Sequence, residues 1–222
     1  MTELRAAAPT RLVVMDVDST LIQQEVIEQI ALHAGTMEQV AEVTERAMRG
    51  ELDFAESLTQ RVATLEGVTL DELAQVRSQI QFSEGAREFI AQCLSRGWEV
   101  ALVSGGFTEI VAGLAAEVGI SRFRANTLEV SGNALTGRTV GRIVDRAYKE
   151  IALREFAAEL GLDMSQTVAM GDGANDLDMI HAAGVGIAFN AKPIVQEQAP
   201  YTVNGSMLGA LDIIDAHDAR QA

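Results

Sequence analysis

The chain has 222 residues, 48% of them hydrophobic and 22% charged, and a chain of this length buries enough surface to fold without disulfide staples. Its formal net charge of −15, from 17 basic and 32 acidic residues, argues against nucleic acid as a partner, because such binding needs a basic footprint. No window approaches the ~20 apolar residues that cross a bilayer, and Met1 to Arg11 holds no apolar signal segment, so no membrane association is expected and the expected compartment is the cytoplasm.

Arg11 to Val17 is a nearly continuous apolar run ending in an acidic turn, the pattern of a buried parallel strand. Helical stripes follow: Ile22, Val26 and Ile30, then Met37, Val40, Ala41, Thr44 and Met48, then Phe54, Leu58, Val62 and Leu65. Thr69 to Glu72 has capping-box spacing ahead of Leu73, Val76 and Ile80. Gly35, Gly50 and Gly67 are candidate helix ends or hinges, and Met37 and Met48 are expected to pack within this helical segment.

After Ser83 short apolar strands alternate with helices. Glu84 to Arg96 is predicted helical, Trp98 to Ser104 a strand and Thr108 to Val118 a helix. Phe123 to Arg138 is predicted to be a β excursion turning at Ser131-Gly132-Asn133. A helix over Ala147 to Leu160, a strand over Thr167 to Met170, a helix over Ala174 to Ala183 and a strand over Val185 to Phe189 complete the pattern. Alternation of this kind gives an α/β fold, a Rossmann-like parallel sheet with helices on both faces. The expected core is discontinuous, residues 1–20 and 84–222, with residues 21–83 inserted after the first strand as a helical cap. Ligands of such sheets sit at the carboxyl ends of the strands, so the insertion is expected to lie over the site.

Four segments at strand ends or helix starts carry chemically useful residues. Asp16-Val17-Asp18-Ser19-Thr20 places two carboxylates one residue apart, where one can attack and the other can move a proton. Val103-Ser104-Gly105-Gly106-Phe107 offers a hydroxyl and backbone N–H groups, an anion seat if a helix begins there and otherwise a glycine-rich turn. Lys149 is one of only two lysines, the other being Lys192, and could neutralise a phosphoryl oxygen. Gly171-Asp172-Gly173-Ala174-Asn175-Asp176 concentrates oxygen ligands suited to Mg²⁺, but lacks the ligand spacing of an EF-hand and the third glycine of a dinucleotide loop. Each segment alone is common in loops or on solvated helices; their order and placement together point to phosphoryl chemistry. Cys93 lies on an apolar helical stripe and reads as a buried core thiol, Trp98 and Tyr148 read as core, and His33, His181 and His217 are too scattered to suggest a metal site.

In these four segments the chain resembles the haloacid dehalogenase superfamily of phosphotransferases, over nearly its whole length. The likeness extends to a branch acting on O-phospho-L-serine, through Glu25, Met48 to Phe54, Ser57-Leu58, Arg61 and Ala188 to Pro193. The resemblance implies that Asp16 attacks phosphorus and that Asp18 protonates the departing serine oxygen and later deprotonates water. It implies Mg²⁺ held by the Asp16 carboxylate, the Asp18 main-chain carbonyl and Asp172, with Asp176 in support. Ser104, the Gly105 N–H and Lys149 are implied to hold the phosphoryl oxygens, with Asn175 lining the pocket. Glu25 is implied to receive the substrate's ammonium group and Arg61 its carboxylate. The expected partner is thus a small phosphorylated amino acid on the route to L-serine, handled by a monomer or homodimer. The alternative is another small phosphomonoester, or phosphoryl transfer to an acceptor such as homoserine.

Overall fold

The computed structural model describes residues 8–221. The first element among the described residues is strand β1 (Leu12–Met15), which is followed by a turn and by helices α1 (Val26–Ala34), α2 (Met37–Met48), α3 (Phe54–Ala63) and α4 (Leu70–Gln79). There follow α5 (Ala86–Ser95), β2 (Glu99–Phe107), α6 (Thr108–Glu117), the hairpin strands β3 (Arg122–Ser131) and β4 (Ala134–Val140), and α7 (Arg146–Leu160). The last part comprises β5 (Thr167–Gly171), a short turn of helix, α8 (Leu177–Ala182), β6 (Val185–Phe189), α9 (Pro193–Gln198), β7 (Tyr201–Val203) and α10 (Gly209–Gln221).

The seven strands form one sheet in the order β4-β3-β2-β1-β5-β6-β7. All neighbours are parallel except β3 and β4. Side chains alternate along the central strand, so Val13 and Met15 enter the larger core and Leu12 and Val14 the opposite one, where they meet Leu153 and Phe156 of α7. Both faces are therefore covered, which is why β1 is apolar throughout rather than alternating. Burial of each such side chain contributes roughly 1.5–3 kcal/mol.

Met15 stands opposite Leu102 of β2 and Met170 of β5, so three chain segments leave the sheet side by side at its carboxyl edge. Here the strand order reverses, and the crevice that results is where the chemistry-bearing residues collect.

The helices α1 to α4 leave and rejoin this edge through a narrow neck. Ile22 bridges Phe82, the Gln23 N–H donates to the Gln81 carbonyl at 2.9 Å, and the Ser83 N–H donates to the Leu21 carbonyl at 2.9 Å. A second tie comes from the hairpin: the Gly67 N–H donates to the Leu135 carbonyl at 2.9 Å and the Leu135 N–H to the Val68 carbonyl at 2.8 Å. Thr69 and Glu72 form the expected reciprocal cap, the Thr69 N–H donating to Glu72 at 2.7 Å and the Glu72 N–H to the Thr69 hydroxyl at 3.2 Å. Gly35, Gly50 and Gly67 all have positive φ; Gly35 directly follows α1 and Gly50 follows Arg49 at the end of α2, whereas Gly67 lies in the turn after α3. Cys93 is fully buried, as expected.

Several local expectations are corrected. Strand β2 does not stop at Ser104 but continues through Gly105 and Gly106 to Phe107, because β3 extends alongside it. The two glycines therefore lie in extended chain, not in the first turn of α6. The β excursion is half right: β4 runs antiparallel, but β3 is a full parallel member of the main sheet. The helix expected from Ala174 begins as a tight single turn, Ala174–Asp176, before α8. Met48 is 84% exposed rather than packed, since it lies at the end of α2, beyond that helix's buried face.

Candidate active site

The first acidic segment owes its shape to the sheet. The Asp16 N–H still donates to the Met170 carbonyl at 2.9 Å, so Asp16 continues the ladder one residue past β1. The chain then turns sharply. Ser19 adopts φ 55°, a left-handed conformation unusual for a residue with a Cβ, and the Ile22 N–H closes the turn on the Val17 carbonyl at 3.0 Å. The turn leaves Asp16 and Asp18 facing the same cavity.

Under this cavity lies a buried charged cluster. Lys149 Nζ is 2.8 Å from Asp16 Oδ1 and donates to Asp176 Oδ1 at 2.7 Å, and the lysine is wholly excluded from solvent. The other Asp176 oxygen accepts the Gly173 N–H at 3.0 Å. Asp172 Oδ1 accepts the Thr20 hydroxyl at 3.3 Å. Carboxylate oxygens of Asp16, Asp172 and Asp176 all lie within 4.8 Å of one another.

So many carboxylates around one lysine resist ionisation. Burial, then Asp176 and Asp172, push Asp16 up to about 8 against the pull of Lys149. Burial, then Asp176 and Glu25, raise Asp172 to about 6. Burial, then Glu25 and Asp16, hold Asp18 well above the usual carboxylate range. Burial draws Lys149 down, but Asp16 and Asp176 outweigh it and keep the ammonium above its ordinary value.

Asp16 Oδ1 and Asp18 Oδ1 are buried without a well-directed hydrogen bond; the approach of Lys149 to Asp16 is close but poorly aligned. A hard divalent cation with oxygen ligands suits this set, since it would satisfy the orphaned oxygen and the surplus negative charge together. Asp16 and Asp172 have oxygens to offer it. Both Asp176 oxygens are engaged, by Lys149 and Gly173, which suits a supporting place.

Above the cluster the cavity is walled on the sheet side by Gly105, Gly106, Gly173 and Asn175, and on the helical side by Glu25, Phe54, Leu58 and Arg61. Glu25 Oε1 accepts the Ser19 hydroxyl at 2.7 Å. Arg61 is partly buried, which draws its guanidinium below its ordinary value against the opposing pull of Glu25, Glu28 and Asp18. Most of the residues named from the sequence thus line one cavity, whereas Ser104, Lys149 and Asp176 are fully buried and do not form its wall.

Sequence reasoning missed several contributors. Asn126 of β3 is almost fully buried and holds the glycine segment in place, donating to the Gly105 carbonyl at 2.8 Å while accepting the Val144 N–H at 2.8 Å. Nothing local marks this amide out, since polar and apolar residues are mixed throughout β3. Thr20 follows the acidic pair directly and had no role assigned. Lys192, a rare lysine within the Ala188–Pro193 likeness but without a role read from the sequence, lines the cavity, and its N–H donates to the Asp172 carbonyl at 3.2 Å.

Comparison with known proteins agrees with this fold. A sequence profile of the haloacid dehalogenase-like hydrolases matches residues 13–181. A phosphoserine phosphatase of Streptomyces coelicolor is 56% identical over 194 residues, 87% of this chain but 47% of that protein, so the chain spans about half its length. Another from Streptococcus thermophilus is 53% identical over 205 residues, covering 92% of this chain and 95% of that one. A solved structure described as a phospho-aspartyl intermediate analogue of phosphoserine phosphatase superposes with a TM-score of 0.85 at 37% identity, covering 92% of this chain and 99% of that one.

Proposed function

Because the chain belongs to the haloacid dehalogenase-like hydrolase family, we propose that it hydrolyses O-phospho-L-serine to L-serine and inorganic phosphate, through an aspartyl phosphate on Asp16. In this reading residues 21–83 form a cap over a core of residues 1–20 and 84–222. The cofactor is Mg²⁺, held by the Asp16 carboxylate, the Asp18 carbonyl and Asp172. When bound, it supplies the positive charge that ionises these carboxylates and offsets the charge of the phosphoryl group.

Asp16 attacks phosphorus, and the bond from phosphorus to the serine oxygen breaks. Asp18 gives its proton to that departing oxygen; its burial beside Glu25 and Asp16, which favours the protonated form, supports the role. Serine leaves, and Asp18, now a carboxylate, accepts a proton from water as the water oxygen attacks phosphorus. The bond to Asp16 then breaks and phosphate departs. Transfer of this kind depends chiefly on positioning and charge neutralisation. Ser104 Oγ already accepts the Gly106 N–H at 2.9 Å, which leaves its own proton for a phosphoryl oxygen. Lys149 and the Gly105 N–H supply further positive ends, and Asn175 lines the same space.

The observation that carries the substrate assignment is the pairing of Glu25 and Arg61 in one cavity with Asp16. An amino-acid head group carries both charges, and an acid facing a planar cation matches it. With one Glu25 oxygen taken by Ser19, the other is left for the ammonium group. The likeness to proteins named phosphoserine phosphatase supports the same reading and suits a cytoplasmic enzyme of L-serine biosynthesis. Arg61→Ala is expected to raise KM for phosphoserine at least about tenfold, as loss of a charge-assisted pair does, while barely changing turnover of phosphate esters that lack a carboxylate. Equal effects on both kinds of ester contradict the assignment.

A further inference from the structure

Gly106 touches both groups that handle protons and oxygens around the phosphoryl site. Its N–H donates to Ser104 Oγ at 2.9 Å. A methyl group on its Cα would stand 3.0 Å from Ser104 Oγ and 3.2 and 3.3 Å from the two Asp18 carboxyl oxygens, closer than ordinary contact. Its neighbour Gly105 differs, since a methyl there would meet nothing nearer than Phe54 Cζ at 3.5 Å. Backbone conformation does not explain the glycine, because Gly106 is absent from the residues of positive φ and lies in extended chain. Only the space demands it.

That space matters because the Asp18 carboxyl is held from one side only, where the Val26 N–H donates to it. One of its oxygens is buried with no hydrogen-bond partner among the described residues. Nothing polar draws it to a fixed place on that side, so its position depends on what it can fit against. The β2–β3 register also shifts between Val103 and Phe107, which sets Gly106 at an irregularity rather than in a plain ladder.

We infer that Gly106 is a positioning residue for this reaction: its missing side chain sets where the Asp18 carboxyl group rests, while its N–H, which an alanine would keep, holds the Ser104 hydroxyl. This rests on the reading of Asp18 as the acid that protonates the leaving oxygen. A methyl group at position 106 displaces that carboxyl by a few tenths of an ångström, enough to spoil proton transfer while leaving Asp16 and the cation site in place.

The test compares Gly106→Ala, Asp18→Asn and the unaltered enzyme, with Mg²⁺, on two esters in rapid-quench experiments. Phosphoserine has a leaving group that needs a proton; p-nitrophenyl phosphate has one that does not. Gly106→Ala is expected to slow phosphoenzyme formation from phosphoserine by about tenfold or more, part of the 10²–10⁴ typical of a general acid, with KM little changed. The burst of nitrophenolate should fall far less, and Asp18→Asn should show the same contrast. If Gly106→Ala slows both esters equally while Asp18→Asn discriminates, the inference is overturned and Asp18 keeps its role. If Asp18→Asn also treats both esters alike, the acid assignment falls and the inference with it. Should Gly106→Ala fold too poorly to assay, thermal unfolding decides: the substitution must lower the melting temperature more beside Asp18 than in an Asp18→Ala background. An equal drop in both backgrounds overturns the steric argument.

Discussion

Asp16 and Asp172 tie the stability of the protein to pH and to metal in a way that can be measured. Without a cation these groups hold protons up to about 8 and about 6, well above the 3.8 of a free aspartate. Their folded values are raised, so the stability they contribute is fully present below the unfolded value and is lost as pH rises through about 6 and then about 8. A divalent cation must displace the same protons, so its affinity grows as they leave. The stabilisation given by Mg²⁺, read as the rise in melting temperature, is therefore expected to be small near about pH 5.5 and large near about pH 8. An increment that stays flat across that range contradicts the assignment of these carboxylates to the cation. At this scale the chemistry was legible in the sequence where residues sit at the ends of readable strands, as Asp16, Asp18, Asp172 and Asp176 do. Lys192 and Asn126 were not, because their approach to the site depends on which strands lie side by side, and no local pattern encodes that.

Elements became legible wherever their period is long enough to count. The helices from α1 to α7 and the strands β1, β5 and β6 fall close to where apolar spacing places them, and the Thr69–Glu72 cap is a local signal that survived folding intact. The end of β2 did not, since two glycines ordinarily stop a strand and only the length of β3 beside it carries the pairing on to Phe107. Strand β7, with three residues, is too short to show a period. Close packing between elements also escapes local reading. Gly186 of β6 lies so near α8 that an added methyl group would fall onto the Ile180 carbonyl oxygen, and backbone cannot move aside as a side chain can. Gly186→Ala should therefore cost roughly 3 kcal/mol or more, at or beyond the upper end for overpacked cores, and lower the melting temperature sharply. A variant melting with the unaltered protein would show that α8 shifts freely on the sheet, contrary to the packing described.

For the whole molecule, the sheet and the helical segment above it follow from the alternation of strands and helices, whereas the closeness of Glu25 and Arg61 to Asp16 depends on how that segment folds back. The neck at Ile22 and Phe82 and the pairing of Gly67, Val68 and Thr69 with the hairpin help to fix that return, and these are long-range contacts. The net charge of −15 acts at this scale too, since a phosphate ester approaches against it. Raising ionic strength from low salt to about 0.15 M screens that field beyond about 8 Å, so kcat/KM for phosphoserine should rise. A fall would mean that Arg61 and Lys192 at the cavity govern the approach instead. The central claim is tested most directly by inorganic phosphate release from O-phospho-L-serine and a panel of other small phosphoesters, with Mg²⁺, for the unaltered protein beside Asp16→Asn. The account predicts Mg²⁺-dependent release strongly favouring phosphoserine and none from Asp16→Asn. Undiminished release by Asp16→Asn, or no release from any ester by the unaltered protein, would contradict it.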